Sequence, residues 1–261
     1  MTKAETSLPP PIRSDAALFL DFDGTLVEIS GSPNDVTVAP DLPPLLECLS
    51  RRLNGALAIV SGRSVDDVGA LLSPFGGPIV GLHGLEYRTD AGEIYRREPM
   101  PELAEARAAV VAALAGKAGV TIEDKGLTAA IHYRQAPLEA ATCVAVAERA
   151  VEAARGVLML RHGKMLVEIG PRDMNKGAGI EMLMGAPLFR GRVPVFLGDD
   201  VTDEDGFAVV NALGGISIRV GDDRETDARY RVPDVPSVIA YLKAFASGAG
   251  ANENLRRGVS A

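Results

Sequence analysis

Asp21-Phe22-Asp23-Gly24-Thr25-Leu26 closes the apolar run Ala16-Ala17-Leu18-Phe19-Leu20. A short, continuous apolar run that ends in a turn signal reads as a strand buried on both faces. Such a strand carries Asp21 and Asp23 to its carboxyl end, and Gly24 lets the backbone turn away. Two carboxylates placed there suit a nucleophilic aspartate beside a second aspartate that moves protons, with both close to a metal. Taken alone, the pair is equally well a strand ending in an acidic turn, so the surrounding chain has to decide.

Further apolar runs, Ala56–Val60, Pro78–Gly81, Val193–Leu197 and Ile216–Val220, read as buried parallel strands. Between them Leu42, Leu45, Leu46, Leu49 and Leu53 recur at helical spacing, with Pro43 and Pro44 in the first turn, where proline is tolerated. This alternation predicts an α/β fold: a doubly wound, mainly parallel sheet with ligands at the carboxyl ends of its strands. The middle of the chain reads differently. Pro101–Lys117 and Pro137–Arg155 are Ala-rich helical patterns, while Gly119–Glu123, Leu127–Tyr133, Gly156–Leu160 and Met165–Ile169 read as strands. Two helices on one face of a small antiparallel sheet make an inserted α+β domain. The expected organisation is a flexible N-terminal tail over 1–13, a core over 14–99 and 172–247, the insertion over 100–171, and a flexible C-terminal tail over 248–261.

Composition narrows the partners. The apolar fraction is 47%, enough for a real core in 261 residues, and tryptophan is absent, which argues against a base-stacking surface for nucleic acid. The net charge of −8 repels polyanions overall, so a phosphate site has to be local. Cys48 and Cys143 lie in apolar helical patterns and read as small buried hydrophobes. The polar, Pro-rich start has no apolar signal region, and no apolar run approaches the roughly 20 residues that span a bilayer. A soluble, cytoplasmic protein with no membrane partner is expected.

Four segments fall where core strands end or helices begin. Asp21 to Leu26 is the first. Ser61-Gly62-Arg63 follows Ala56–Val60, where a hydroxyl and the backbone N–H groups of a helix start can hold a phosphate. Lys176, within Asp173-Met174-Asn175-Lys176-Gly177, is a cation for a phosphoryl oxygen at a helix N-terminus. Gly198-Asp199-Asp200-Val201-Thr202-Asp203-Glu204-Asp205 follows Val193–Leu197 and offers carboxylates to a hard cation such as Mg2+. Each has a plain alternative as a helix cap, a solvated lysine or an acidic turn. Together, in this order at strand ends, they point to phosphoryl transfer.

These four segments resemble the motifs of the haloacid dehalogenase superfamily of aspartate-nucleophile phosphatases, with a cap inserted between the second and third. The finer pattern resembles the trehalose-6-phosphate phosphatase family. It is carried by Gly81-Leu82-His83-Gly84-Leu85-Glu86, Glu123-Asp124-Lys125-Gly126-Leu127, His132-Tyr133-Arg134, Gly163-Lys164-Met165-Leu166-Val167-Glu168 and the acidic run after Gly198. The match spans about Leu18 to about Val220. Met174-Asn175 departs from the Trp-Asp pair common there, and leaves Lys176 in place. The resemblance implies a haloacid dehalogenase-like, Rossmannoid core and a Mg2+-dependent phosphatase for trehalose 6-phosphate. Asp21 would attack phosphorus; Asp23 would protonate the leaving sugar oxygen and then activate water. Asp21, the Asp23 carbonyl and Asp199 would hold the metal, with Asp200 and Asp203 supporting them at one remove. Thr25, Ser61, Gly62 and Lys176 would hold the phosphate.

In the insertion, Lys164 and Glu168 lie four apart on one strand face, Glu123 and Lys125 share parity, and so do His132 and Arg134. Opposed charges on neighbouring strands fit a polyhydroxylated ligand, although any one pair is equally a solvated sheet face. The resemblance assigns Glu123, Lys125, Arg134, Lys164 and Glu168 to the sugar, and puts His83 and Glu86 at the hinge or the sugar entrance. The other readings that remain are a phosphatase for sucrose phosphate or mannosylglycerate phosphate, a phosphomutase of the same superfamily, and a non-catalytic sugar-phosphate sensor. Association with a trehalose-6-phosphate synthase is left open.

Overall fold

The computed structural model describes residues 8–29, 36–163, 165–222 and 224–248. Lys164, residues 1–7 of the expected N-terminal tail and residues 249–261 of the C-terminal one lie outside the described residues. The chain divides into two compact units, Met1–Tyr95 with Asn175–Ala261, and Arg96–Met174.

The first unit begins with β1 (Ala16–Leu20), whose five residues are all buried. In α1 (Leu42–Arg52) the prolines occupy the first turn and Leu42, Leu45, Leu46 and Leu49 face inward. Next come β2 (Leu57–Val60), α2 (Val65–Leu71), β3 (Ile79–Gly81), β4 (Glu86–Arg88) and β5 (Ile94–Arg96). The Arg96–Met174 unit contains α3 (Pro101–Ala113), β6 (Thr121–Asp124), β7 (Ala129–His132), α4 (Ala140–Ala153), β8 (Leu158–Gly163) and β9 (Leu166–Pro171). The chain then completes the first unit with α5 (Lys176–Gly185), β10 (Val193–Gly198), α6 (Glu204–Ala212), β11 (Ile216–Val220), β12 (Tyr230–Val232) and α7 (Val235–Ser247).

The larger sheet runs β12-β11-β10-β1-β2-β3-β4-β5. Every pairing from β12 to β3 is parallel, and β4 joins β3 antiparallel. Strand order proceeds from β1 to β3 on one side and from β10 to β12 on the other, so the topological switch point lies between β1 and β10. Ligand crevices open at the carboxyl ends of such strands. Register places Leu20 level with Leu197 and with Ile59, which brings the ends of β1, β10 and β2 side by side. The core beneath includes Phe19 stacked on Phe189 with ring centroids 5.4 Å apart.

The smaller sheet, β6-β7-β9-β8, is antiparallel throughout. One face carries Ala129, Ile131, Val167 and Ile169 into a core shared with Leu103, Val110, Cys143 and Ala147 of α3 and α4. The α/β class with a parallel sheet and an added antiparallel unit therefore holds. Three short strands, β4, β5 and β12, are absent from the sequence reading, because three residues that include a charged side chain carry no apolar run. Cys143 is buried as expected, whereas Cys48 is only half-buried, and both are free thiols. Residues of the expected N-terminal tail are packed: Ile12 is buried, and the Tyr241 hydroxyl donates to the Pro10 carbonyl at 2.6 Å.

Phe189→Ala removes a stacked, fully covered ring from beneath β1 and is expected to cost about 3–5 kcal/mol. Urea unfolding followed by circular dichroism should show the midpoint falling accordingly.

Candidate active site

At the switch point Asp21, Asp199 and Asp203 each offer a carboxylate oxygen, all within 4.8 Å of one another and all buried. Asp21 leaves the end of β1 and Asp199 the end of β10, while Asp203 closes the short helical turn before α6. Lys176, the first residue of α5, donates from Nζ to Asp21 Oδ1 and to Asp203 Oδ1, each at 2.7 Å. The helix start is fixed by Asn175, whose side chain accepts from Ala178 N–H at 3.1 Å. Asp203 has a second task. Its Oδ2 accepts the N–H groups of Asp199 at 3.0 Å and Asp200 at 2.9 Å, so it shapes the loop that presents Asp199.

Burial works against the Lys176 ammonium, yet Asp203 and Asp21 together outweigh it, and its pKa lies above the ordinary lysine value. Burial followed by the Asp203 charge holds the Asp21 carboxyl well above the ordinary aspartate range; Lys176 pulls it back and Asp199 adds to the rise. Three carboxylates against one ammonium leave the cluster short of positive charge. An all-oxygen, electron-rich donor set with that deficit fits a hard divalent cation such as Mg2+.

Two glycines are required here, for different reasons. Gly24 sits at φ +85°, and a methyl on it would overlap the Asp199 carboxylate. Gly62 has an ordinary φ, but its Cβ would lie 2.6 Å from His83 Nε2. Thr25 Oγ1 is fully covered and has no hydrogen-bond partner among the described residues, so a buried donor is left for a ligand. Ser61, at the end of β2, takes the Arg63 N–H on its hydroxyl at 3.1 Å. The helix after it starts later than expected: Ser64 caps α2 by accepting Asp67 N–H at 3.0 Å, which leaves Ser61 in the preceding loop.

His83 and Glu86 brace these loops. Leu82 and His83 both adopt left-handed backbone, at φ 47° and 54°. In that conformation His83 N–H donates to the Ser61 carbonyl at 3.1 Å, and the His83 carbonyl accepts Asn175 N–H at 2.7 Å. The segment thus ties the Ser61 loop to the start of the Lys176 helix. Buried Glu86 accepts Val65 N–H on Oε1 at 2.5 Å, at the start of α2.

In the smaller unit, Glu123, Glu168 and Lys125 meet on the sheet face turned away from α3 and α4. Lys125 Nζ lies 3.2 Å from Glu168 Oε1, and the Thr128 hydroxyl donates to the same oxygen at 2.6 Å. Glu123 Oε2 and His132 Nε2 are 2.8 Å apart, and that hydrogen bond holds the Glu123 carboxyl below the ordinary glutamate range. Arg134 is half-buried two residues beyond β7, and the Lys164 expectation falls outside the described residues.

A family model described as trehalose-phosphatase matches residues 19–236. The chain belongs to the trehalose-phosphatase family. Over 231 residues it is 46% identical to a probable trehalose-phosphate phosphatase of Sinorhizobium fredii, covering 88% of this chain and 87% of that protein. Over 239 residues it is 39% identical to the trehalose-6-phosphate phosphatase of Escherichia coli K12, covering 90% and 88%. The solved C-terminal domain of the Candida albicans trehalose-6-phosphate phosphatase superposes with a TM-score of 0.79 at 20% identity, over 93% of this chain and 99% of that one. A haloacid dehalogenase-like hydrolase from Bacteroides thetaiotaomicron does so with 0.62 at 15% identity, over 87% and 97%. These two likenesses concern the fold, which is haloacid dehalogenase-like. Family membership makes the chain a phosphoric monoester hydrolase.

Two arginines at the site escaped the sequence reading. Arg63 was read only as part of a phosphate-gripping segment, yet its guanidinium forks onto Asp23, Nε to Oδ2 at 2.6 Å and Nη2 to Oδ1 at 2.8 Å. Arg224, in the loop after β11, donates to the Asp199 carbonyl at 3.1 Å and lies 4.0 Å from Asp200 Oδ1. For Arg63 the adjacent Ser-Gly was a usable signal; for Arg224 there was none, because the contact spans a loop of unremarkable composition.

Gly62→Ala should press a methyl into the His83 ring and weaken competitive inhibition by inorganic phosphate about tenfold, an overpacking penalty of roughly 1–3 kcal/mol. Adding His83→Ala should recover most of that loss. A double variant as weak as the single one would show that the two residues do not meet.

Proposed function

We propose that the chain is a Mg2+-dependent phosphatase that hydrolyses trehalose 6-phosphate to trehalose and phosphate through an aspartyl phosphate on Asp21. The observation that carries this reading is the buried Asp21 carboxylate at the end of β1, paired with Lys176 at 2.7 Å and crowded by Asp199 and Asp203. A carboxylate that only served stability would not be collected with two others in the crevice of a doubly wound sheet. The names of the Sinorhizobium and Escherichia relatives support the substrate.

In this reading Asp21 attacks phosphorus while the bond to the sugar oxygen breaks, and Asp23 delivers a proton to that oxygen. Asp23 then takes a proton from the water that attacks the aspartyl phosphate, which releases phosphate, frees the Asp21 carboxylate and returns Asp23 to its protonated form. Lys176, the Ser61 hydroxyl, the Gly62 loop and the Thr25 hydroxyl hold phosphoryl oxygens. Asp21, the Asp23 carbonyl and Asp199 would hold Mg2+, steadied by Asp200 and Asp203; the ion supplies positive charge to offset that of the phosphoryl group. Glu123, Lys125, Arg134, Lys164 and Glu168 read the sugar, and His83 and Glu86 support the loops at its entrance. The described residues include no helix long and apolar enough to cross a membrane. A cytoplasmic enzyme of trehalose biosynthesis, with or without a synthase partner, fits this reading.

Phosphate release from trehalose 6-phosphate, compared with glucose 6-phosphate and sucrose 6-phosphate, tests the proposal. The expected result is rapid release from trehalose 6-phosphate, lost in EDTA and restored by Mg2+, and a fall of more than about 10³-fold in Asp21→Asn. Turnover retained by Asp21→Asn would remove the nucleophile assignment. Preference for another sugar phosphate would keep the chemistry and discard the substrate.

A further inference from the structure

The strand between the two carboxylate-bearing strands of the smaller sheet has an unusual outer face. Strand β7 turns Ala129 and Ile131 toward the helices, so Ala130 and His132, with Thr128 just before the strand, point the other way. Register sets Glu123 of β6 opposite Ala130, and Ala130 opposite Glu168 of β9. The two glutamates therefore stand in one row, two strand spacings or about 10 Å apart at the backbone. Alanine lies between them.

Each glutamate is held from this middle strand. The Thr128 hydroxyl donates to Glu168 Oε1 at 2.6 Å, and His132 Nε2 meets Glu123 Oε2 at 2.8 Å. The arrangement is not a solvated face: Thr128 and Ala130 are fully covered and Glu168 is 3% exposed. A covered carboxylate costs desolvation energy unless donors surround it. Val at 128 would fill the same space, and nothing in the sheet's core uses the hydroxyl. Its geometry is spent on aiming Glu168.

We propose that Thr128 and His132 are positioning residues that aim Glu168 and Glu123 at a neutral polyhydroxylated ligand. The inference rests on the reading of this face as the sugar reader. Acceptors fixed at a set separation distinguish sugars by where hydroxyls fall, which a charged phosphate grip cannot do.

The test measures KM for trehalose 6-phosphate and the inhibition constant for inorganic phosphate, which carries no sugar, in Thr128→Val, Thr128→Ser and His132→Gln. Thr128→Val is expected to raise KM about tenfold, the worth of a hydrogen bond to a charged group, and to leave phosphate inhibition within about twofold. Thr128→Ser, which keeps the hydroxyl, should stay near wild type. If Thr128→Val does not fold by circular dichroism, the His132→Gln arm decides, with a KM rise of about threefold or more expected. An unchanged KM, or a KM rise matched by equal weakening of phosphate inhibition, overturns the inference. If the unaltered enzyme prefers a different sugar phosphate, the substrate reading has failed separately, and the same variants are read on the preferred sugar.

Discussion

A single ammonium, Lys176 Nζ, sits between Asp21 and Asp203 at 2.7 Å from each, almost wholly removed from water. Three carboxylates drawn together without it would repel one another at a low-dielectric site, and removing one member of a buried ion pair commonly costs about 3–5 kcal/mol. The lysine comes from far along the chain, 155 residues after Asp21. Asp199 and Asp203, on the loop after β10, are likewise remote from Asp21, although Asp203 is only 27 residues from the lysine. The switch point of the sheet is what makes them neighbours in space, because β1 and β10 lie side by side while their connections run in opposite directions.

Around that cluster the backbone is arranged to leave no slack. Asp203 spends one carboxylate oxygen on Lys176 and the other on two loop N–H groups, so the same residue balances charge and shapes the Asp199 loop. Gly198 permits this, since a Cβ there would overlap the Asp203 carboxylate. The left-handed Leu82 and His83 cost strain of the order of 1–2 kcal/mol each. In return, one short segment hydrogen-bonds both to the loop after β2 and to the start of α5. The loop after β2 and the start of α5 are thereby held in one frame.

Much of this was legible in the chain because its signals are local. Ala16–Leu20 is an uninterrupted apolar run, and the structure buries every one of its residues. The alternation from Leu127 to Tyr133 separates two sheet faces, and Ala129 and Ile131 do enter the core while Ala130 does not. What stayed hidden depends on distance in sequence. The Arg63 fork onto Asp23 spans 40 residues and the Arg224 contact to Asp199 spans 25, and side-chain pairing over such separations leaves no periodicity to read. Edge strands such as β12 were hidden for another reason: with Tyr230 and Arg231 half-exposed they have no apolar pattern.

The two units arrange carboxylates in opposite ways. In the larger one carboxylates are crowded until they demand a cation, and the burial that raises Asp21 is the same burial that makes Lys176 effective. In the smaller one Glu123 and Glu168 are kept apart by a strand and satisfied singly, by His132, Lys125 and Thr128, so neither creates a demand for a further charge. A crowded carboxylate cluster favours a cation by charge. Spaced carboxylates, each already balanced by a neighbour, can discriminate only by where an incoming hydroxyl falls. For a substrate with one charged end and one neutral, hydroxyl-rich end, that contrast in carboxylate spacing is the physical basis of the division proposed between the units.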